Sequence, residues 1–188
     1  MKKHHLISLS LAVFPLVALA HTGHGGHGFM DGFAHPFLGL DHLLAMLLVG
    51  AWSVLHARRV WLAPGVFVAL LAAGAVLGQY GFAAPQVEPL VAASVLALGL
   101  MLARPARLSP GVSLALIGGF ALFHGMAHGG ELEAGAAILS GIVLGSAALH
   151  LAGMGFAEIV LKSRPRLATL VGRIAAAAGG GLVLATVL

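Results

Sequence analysis

The sequence contains no cysteine. Disulfide bonds, thiolate metal sites and cysteine nucleophiles are therefore excluded, and any metal site has to use nitrogen, oxygen or thioether ligands. Charged residues are also scarce, at 9% of 188 residues, whereas a soluble domain has about 25%. With 60% hydrophobic residues and a mean hydropathy of +1.02, the composition predicts an integral membrane protein in a lipid bilayer.

The sequence also lacks the features of a nucleic-acid-binding protein and of an ATPase. The net charge is +4, but the ten lysines and arginines fall in short clusters between apolar runs, which is typical of membrane topology signals and not of a nucleic-acid surface. The phosphate-binding motif Gly-x-x-x-x-Gly-Lys does not occur in the sequence. We therefore expect no nucleic-acid partner and no ATP hydrolysis by this chain.

The N-terminal residues are typical of a secretory signal peptide. Two lysines precede an apolar run that ends in Ala-Leu-Ala, which predicts a signal peptide over residues 1–20, with a retained signal anchor as the alternative. Cleavage would leave a periplasmic leader over residues 21–34, rich in histidine and glycine. Such a leader is either disordered or a loose metal-capturing segment. Its histidines are His21, His24 and His27.

Six apolar segments predict an all-α fold, a polytopic bundle of six transmembrane helices over residues 35–188. They lie at 36–57, 60–83, 87–103, 110–129, 134–161 and 166–188. Gly-x-x-x-Gly motifs at 74–78 and 141–145 predict close helix packing. Basic and non-basic connections alternate, so the positive-inside rule places the mature N-terminus and the C-terminus in the periplasm of a bacterial inner (cytoplasmic) membrane protein.

Histidine is plentiful, at 11 residues, and several histidines fall where apolar segments begin or end. The first segment opens with His-Pro-Phe-Leu-Gly-Leu-Asp-His at residues 35–42. Because ionisable groups are costly in a membrane, we interpret His35, Asp41 and His42 as functional and expect polar partners on another helix. Pro36 suits the first helical position, which places His35 near the N-cap and the other two in the second turn.

The fourth segment ends in Phe-His-Gly-Met-Ala-His-Gly-Gly-Glu at residues 123–131. In a helix, His124 and His128 share one face, and Glu131 follows near the helix end. Glu131 is a candidate for the ion path, where its carboxylate would attract cations, and a solvated loop residue is the alternative. Because this helix runs outward, its last residues return to the depth of the first motif. The two motifs together predict a divalent transition-metal site, and imidazole suits nickel, cobalt, copper and zinc alike.

The fifth segment carries a stripe of His150, Met154 and Glu158, which lie four residues apart and would form a deeper part of an ion path. Each has a simpler interpretation. His150 could make an interhelical hydrogen bond that fixes packing. Glu158 could form an ion pair with a basic residue of the next loop.

Taken together, the two motifs resemble the HupE/UreJ family of hydrogenase and urease accessory membrane proteins, over essentially the whole chain. The resemblance implies a nickel permease that moves Ni²⁺ from periplasm to cytoplasm, with no organic cofactor and with nickel-enzyme maturation proteins as cytoplasmic partners. Cobalt remains an alternative cargo. The implied metal-binding residues are His35, Asp41, His42, His124 and His128.

Two other functions stay open. An intramembrane zinc-dependent hydrolase would use similar ligands with one open position for water, although no residue is clearly placed as a general base. A membrane metal sensor or assembly protein would bind the ion without moving it. Transport is favoured because a series of stations, each weak enough to release the ion, suits permeation better than a closed cage.

Overall fold

The computed structural model describes residues 28–82, 86–103, 108–129 and 135–188. Within these ranges the chain forms seven α-helices and no strand, which confirms the all-α class. The helices are α1 (Phe29–Leu38), α2 (Leu40–His56), α3 (Leu62–Gln79), α4 (Val87–Ala103), α5 (Pro110–Ala127), α6 (Ala136–Phe156) and α7 (Pro165–Val187). A π-helical turn, Ala157–Leu161, continues α6. The expected signal peptide and the histidines of the leader lie outside the described residues.

The first mature segment folds as two helices instead of one. The Asp31 carboxylate accepts a hydrogen bond from the Gly28 backbone N–H at 3.2 Å, and this cap starts α1 well before Pro36. The prediction that Pro36 begins the helix, with His35 at its N-cap, is therefore wrong, because both residues lie inside α1. The boundary expected at residue 34, between leader and membrane domain, also falls within α1.

The break between α1 and α2 falls at Gly39. Its backbone is extended, with φ −85° and ψ 123°, and the two helix axes meet at 84°. Asp41 and His42 consequently lie in the first turn of α2 and not in the second turn, as the sequence had suggested. The bend places the polar residues of α1 beside the polar start of α2.

Among the described residues, four helices are long and apolar enough to cross a membrane: α3, α5, α6 with its π turn, and α7. The bent pair α1–α2 makes a fifth if it crosses as one broken span. α4 is apolar but has only 17 residues. The structure thus supports a membrane protein with four or five candidate spans, and the expected number of six stays a prediction.

Glycines determine how closely the helices approach. A Cβ atom at Gly74 would meet the Leu122 carbonyl group, and one at Gly125 would meet the Leu71 carbonyl group, so α3 and α5 touch through their backbones. Gly141 lies equally close to the Phe29 carbonyl group, at the contact of α6 with α1. The close packing predicted from the small-residue motifs is confirmed. α2 is the central helix and packs against α1, α3, α4 and α6.

Candidate metal site

Four imidazole rings from three helices lie together at one end of the bundle. The His42 ring centroid is 4.9 Å from that of His124, 4.7 Å from that of His128 and 6.1 Å from that of His35. The His35 and His128 centroids are 4.5 Å apart. His42, His124 and His128 are each at most 2% exposed. The fold therefore brings the histidines of the two sequence motifs into one cluster, which we call the outer cluster: His35, His42, His124 and His128.

The residues at the start of α5 determine where His124 and His128 lie along this helix. The Ser109 hydroxyl accepts a hydrogen bond from the Val112 backbone N–H at 3.3 Å, and Pro110 occupies the first turn, which together start the helix. His124 then lies in the last turn and His128 at the C-cap. The ring of His124 on α5 then lies 4.9 Å from that of His42 on α2, measured between centroids.

Hydrogen bonds at Nδ1 fix the tautomers of three buried histidines. Nδ1 of His42 donates to Asp41 Oδ1 at 2.8 Å, Nδ1 of His124 donates to the Phe120 carbonyl oxygen at 2.9 Å, and Nδ1 of His150 donates to the Met46 carbonyl oxygen at 2.7 Å. Carboxylates and carbonyl groups only accept hydrogen bonds, so each Nδ1 must carry a hydrogen. In a neutral imidazole the lone pair is then on Nε2.

Those three Nε2 atoms are buried and have no hydrogen-bond partner within the described part of the chain. A buried acceptor without a donor is costly, and native proteins keep few of them. The same pattern is usual for metal-binding histidines, in which a carboxylate or carbonyl group holds one nitrogen and the other nitrogen faces the metal. A metal-binding role for His42, His124 and His150 is consistent with this pattern and stays a prediction.

Asp41 has a positioning contact in this structure. Its Oδ1 atom accepts hydrogen bonds from both Nδ1 and the backbone N–H of His42, each at 2.8 Å. The carboxylate thus fixes the orientation of His42 and adds a negative charge beside the outer cluster. That Asp41 itself binds the metal stays a prediction.

The outer cluster is not a finished coordination shell. Among the described residues, no group of three or more histidine, aspartate or glutamate side chains is arranged to hold a metal ion. The rings pack edge to face or tilted, with interplanar angles of 56–89°. Coordination by several of these residues would therefore require side chains to turn.

Phe67 of α3 lies between two of these histidines and could not be singled out in the sequence. Its buried ring lies 5.4 Å from the His124 ring and 5.0 Å from the His150 ring, measured between centroids. It therefore connects the outer cluster with His150 on α6. A phenylalanine in an apolar segment carries no signal that separates it from ordinary core residues.

The other residues proposed for the path fall in different places. Met154 is buried on α6, and its backbone nitrogen lies against Gly50 of α2. Glu158 is exposed, and its carboxylate accepts hydrogen bonds from Lys162 Nζ at 2.7 and 3.0 Å, so its simpler interpretation as an ion pair is what the structure contains. His150 likewise makes the interhelical hydrogen bond expected of a packing residue. Four candidates lie outside the described residues: His21, His24, His27 and Glu131.

A cavity of about 420 Å³ lies at the opposite end of α2 from the outer cluster. Trp52 and His56 line it from α2, and Ala63, one turn before Phe67 on α3, lines it from a neighbouring helix. Arg58 and Arg59 also line it. Polar groups are thus present at both ends of α2, with Phe67 and His150 between them.

Comparisons with known proteins agree on one family. The model of the HupE/UreJ protein family matches residues 9–182. Protein HupE of Rhizobium leguminosarum bv. viciae is 38% identical over 189 aligned residues, which cover 97% of this chain and 99% of that relative. No solved structure matches the chain. With both motifs and the matched length in place, the chain belongs to the HupE/UreJ family of hydrogenase and urease accessory membrane proteins.

Proposed function

We propose that this protein is a nickel permease that carries Ni²⁺ from the periplasm to the cytoplasm and supplies hydrogenase or urease maturation. The observation that carries the proposal is the set of three buried Nε2 lone pairs, on His42, His124 and His150, whose tautomers are fixed at Nδ1. Neutral imidazole nitrogen suits nickel, and cobalt to a similar degree. The identity of the ion as nickel comes from the family.

The proposed path starts at the outer cluster. The ion exchanges water for imidazole nitrogens of His35, His42, His124 and His128, and Asp41 offsets part of its charge. It then passes the Phe67 ring to His150 and leaves through the cavity at the other end of α2. This order follows the chain of ring contacts from His42 through His124 and Phe67 to His150.

The geometry of the outer cluster favours passage over storage. A permeation site has to bind strongly enough to dehydrate the ion and weakly enough to release it. Rings that must turn to coordinate the ion, as the present arrangement requires, meet both conditions better than a rigid cage. We infer that side-chain rotation at the outer cluster accompanies capture and release.

The family assignment bears on the alternatives. HupE/UreJ proteins are membrane accessory proteins and not enzymes, so the zinc-dependent hydrolase is set aside. A metal-binding assembly protein would need only the outer cluster. The buried lone pair of His150, deeper along α6 and joined to the cluster by Phe67, favours transport over simple binding.

We further propose six spans after a cleaved signal peptide, in the bacterial inner membrane, with both mature termini in the periplasm. α4 is the sixth span in this arrangement, because 17 residues are within the range that crosses a thin or locally compressed bilayer. The outer cluster then opens toward the periplasm. The exposed Arg58 and Arg59, in the connection after α2, face the cytoplasm.

Accumulation of radioactive nickel in proteoliposomes tests the permease function. Four proteins are compared: wild type, His42→Ala, His128→Ala and Glu158→Gln, the last as a control with an altered exposed side chain. We expect wild type and Glu158→Gln to accumulate nickel. The two histidine variants should lose most or all of this nickel accumulation. Equal accumulation in all four proteins and in protein-free vesicles would refute the proposal.

A further inference from the structure

The hydroxyl group of one fully buried serine differs from those of two others that are equally buried, Ser53 and Ser94. The hydroxyl groups of Ser53, Ser94 and Ser140 each donate to the carbonyl oxygen three residues earlier in their own helix, at 2.6–2.7 Å. Serine in a helix commonly satisfies its hydroxyl in this way. Ser146 of α6 is fully buried, yet its Oγ atom has no hydrogen-bond partner in the residues that the structure describes.

Ser146 lies one turn before His150 on the same helix. Residues four apart on a helix share one face, and both side chains are at most 1% exposed. The adjacent Gly145 packs against Phe33 of α1, and Gly153 packs against Leu47 of α2. This part of α6 is therefore enclosed by the two helices that carry the first sequence motif.

Packing alone does not account for this serine. An unsatisfied hydroxyl group in an apolar interior is destabilising, and alanine would fill nearly the same volume without that cost. A hydroxyl oxygen has lone pairs that can bind a cation. Within the described part of the chain, Ser146 Oγ and His150 Nε2 are thus two buried polar atoms without a hydrogen-bond partner, on residues one helical turn apart.

We propose that Ser146 and His150 form a second cation-binding station, which receives a divalent first-row metal ion after the outer cluster. This inference rests on the proposed transport function and adds to it a residue that neither motif contains. Two protein ligands leave the remaining coordination positions to water. The second station therefore binds more weakly than a multi-histidine cluster, which favours onward release of the ion.

Initial rates of nickel uptake into proteoliposomes, measured over a range of nickel concentrations, test the station. In Ser146→Ala we expect the maximum rate to fall about tenfold, because the station loses one of its two protein ligands. KM should stay within about twofold of wild type, because capture occurs at the outer cluster. The matched control is Ser94→Ala, which removes an equally buried hydroxyl group that has its own acceptor. The control should transport at the wild-type rate.

His150→Asn provides the second variant. Its side-chain amide can still donate toward the Met46 carbonyl oxygen, but it has no counterpart of Nε2. We expect the same loss of maximum rate with thermal stability close to that of wild type. Purified Ser146→Ala should be at least as stable as wild type, since it loses no hydrogen bond described in the structure.

The outcomes separate the station from the transport function. Wild-type kinetics in Ser146→Ala or in His150→Asn would overturn the station while leaving transport intact. An equal loss in Ser146→Ala and Ser94→Ala would also overturn it, because the effect would then come from serine burial in general. Failure of wild type to accumulate nickel would overturn both proposals.

Discussion

Replacement of Asp41 by asparagine tests whether the Asp41 carboxylate fixes the orientation of His42 in the outer cluster. Asp41 Oδ1 accepts two hydrogen bonds from His42, both at 2.8 Å. Asparagine has nearly the same shape but no charge. Its NH₂ group can also turn toward Nδ1, in which case His42 would carry its hydrogen on Nε2 and lose the lone pair that faces the cluster.

The size of the effect follows from these contacts. Hydrogen bonds to a charged group contribute about 1.5–3 kcal/mol, against about 1 kcal/mol for neutral pairs. Loss of the charge at one such bond therefore removes about 0.5–2 kcal/mol, which corresponds to about a twofold to thirtyfold weaker affinity. The upper part of this range overlaps the loss found when groups that orient metal-binding histidines are removed.

Calorimetric titration of the purified, detergent-solubilised protein with Ni²⁺ measures this change at one fixed pH. Glu158→Gln is the matched control, because it makes the same carboxylate-to-amide change at an exposed ion pair with Lys162. We expect its nickel affinity to equal that of wild type. If Asp41→Asn bound nickel within twofold of wild type, the positioning role derived for Asp41 would be incorrect.

Three further results are expected. Gly125→Ala should strongly reduce both thermal stability and nickel uptake, because its Cβ would collide with the Leu71 backbone of α3. Gly119→Ala on the same helix has open space at its Cβ and should be neutral or stabilising by up to about 1 kcal/mol. Thermal unfolding of both variants tests this difference. Nickel affinity should fall as the pH is lowered, because protons compete with the metal for Nε2. Calorimetric titrations at several pH values should show proton release on nickel binding at mildly acid pH. A nickel affinity independent of pH would argue against imidazole ligands. Glu158→Gln should change the free energy of unfolding by less than about 1 kcal/mol, as expected for an exposed pair, and a larger loss in chemical denaturation would contradict that assignment.

The sequence was sufficient to predict the helical class and the meeting of the two motifs. Apolar runs of this length leave few alternatives to membrane helices. His124 and His128 could be matched to His42 because alternating chain direction returns the end of one helix to the depth of the start of another. That argument needs only topology and no knowledge of packing.

Other features depend on tertiary structure. Pro36 looked like a helix start, but the Asp31 cap and the break at Gly39 gave two helices at 84°. Phe67 and Ser146 resemble ordinary core residues in the sequence, because an aromatic ring or a small hydroxyl group in an apolar segment has no distinctive pattern. Their proposed roles rest on ring contacts and on polar atoms that have no partner among the residues that the structure describes.

X-ray absorption spectroscopy of the nickel-bound, purified protein tests the central claim most directly, since it identifies the atoms bound to the metal. We predict a shell that contains imidazole nitrogens together with oxygen, with fewer imidazole ligands in His42→Ala. A shell of oxygen ligands alone in the wild-type protein, unchanged in His42→Ala, would contradict the claim that the buried histidine nitrogens carry the ion.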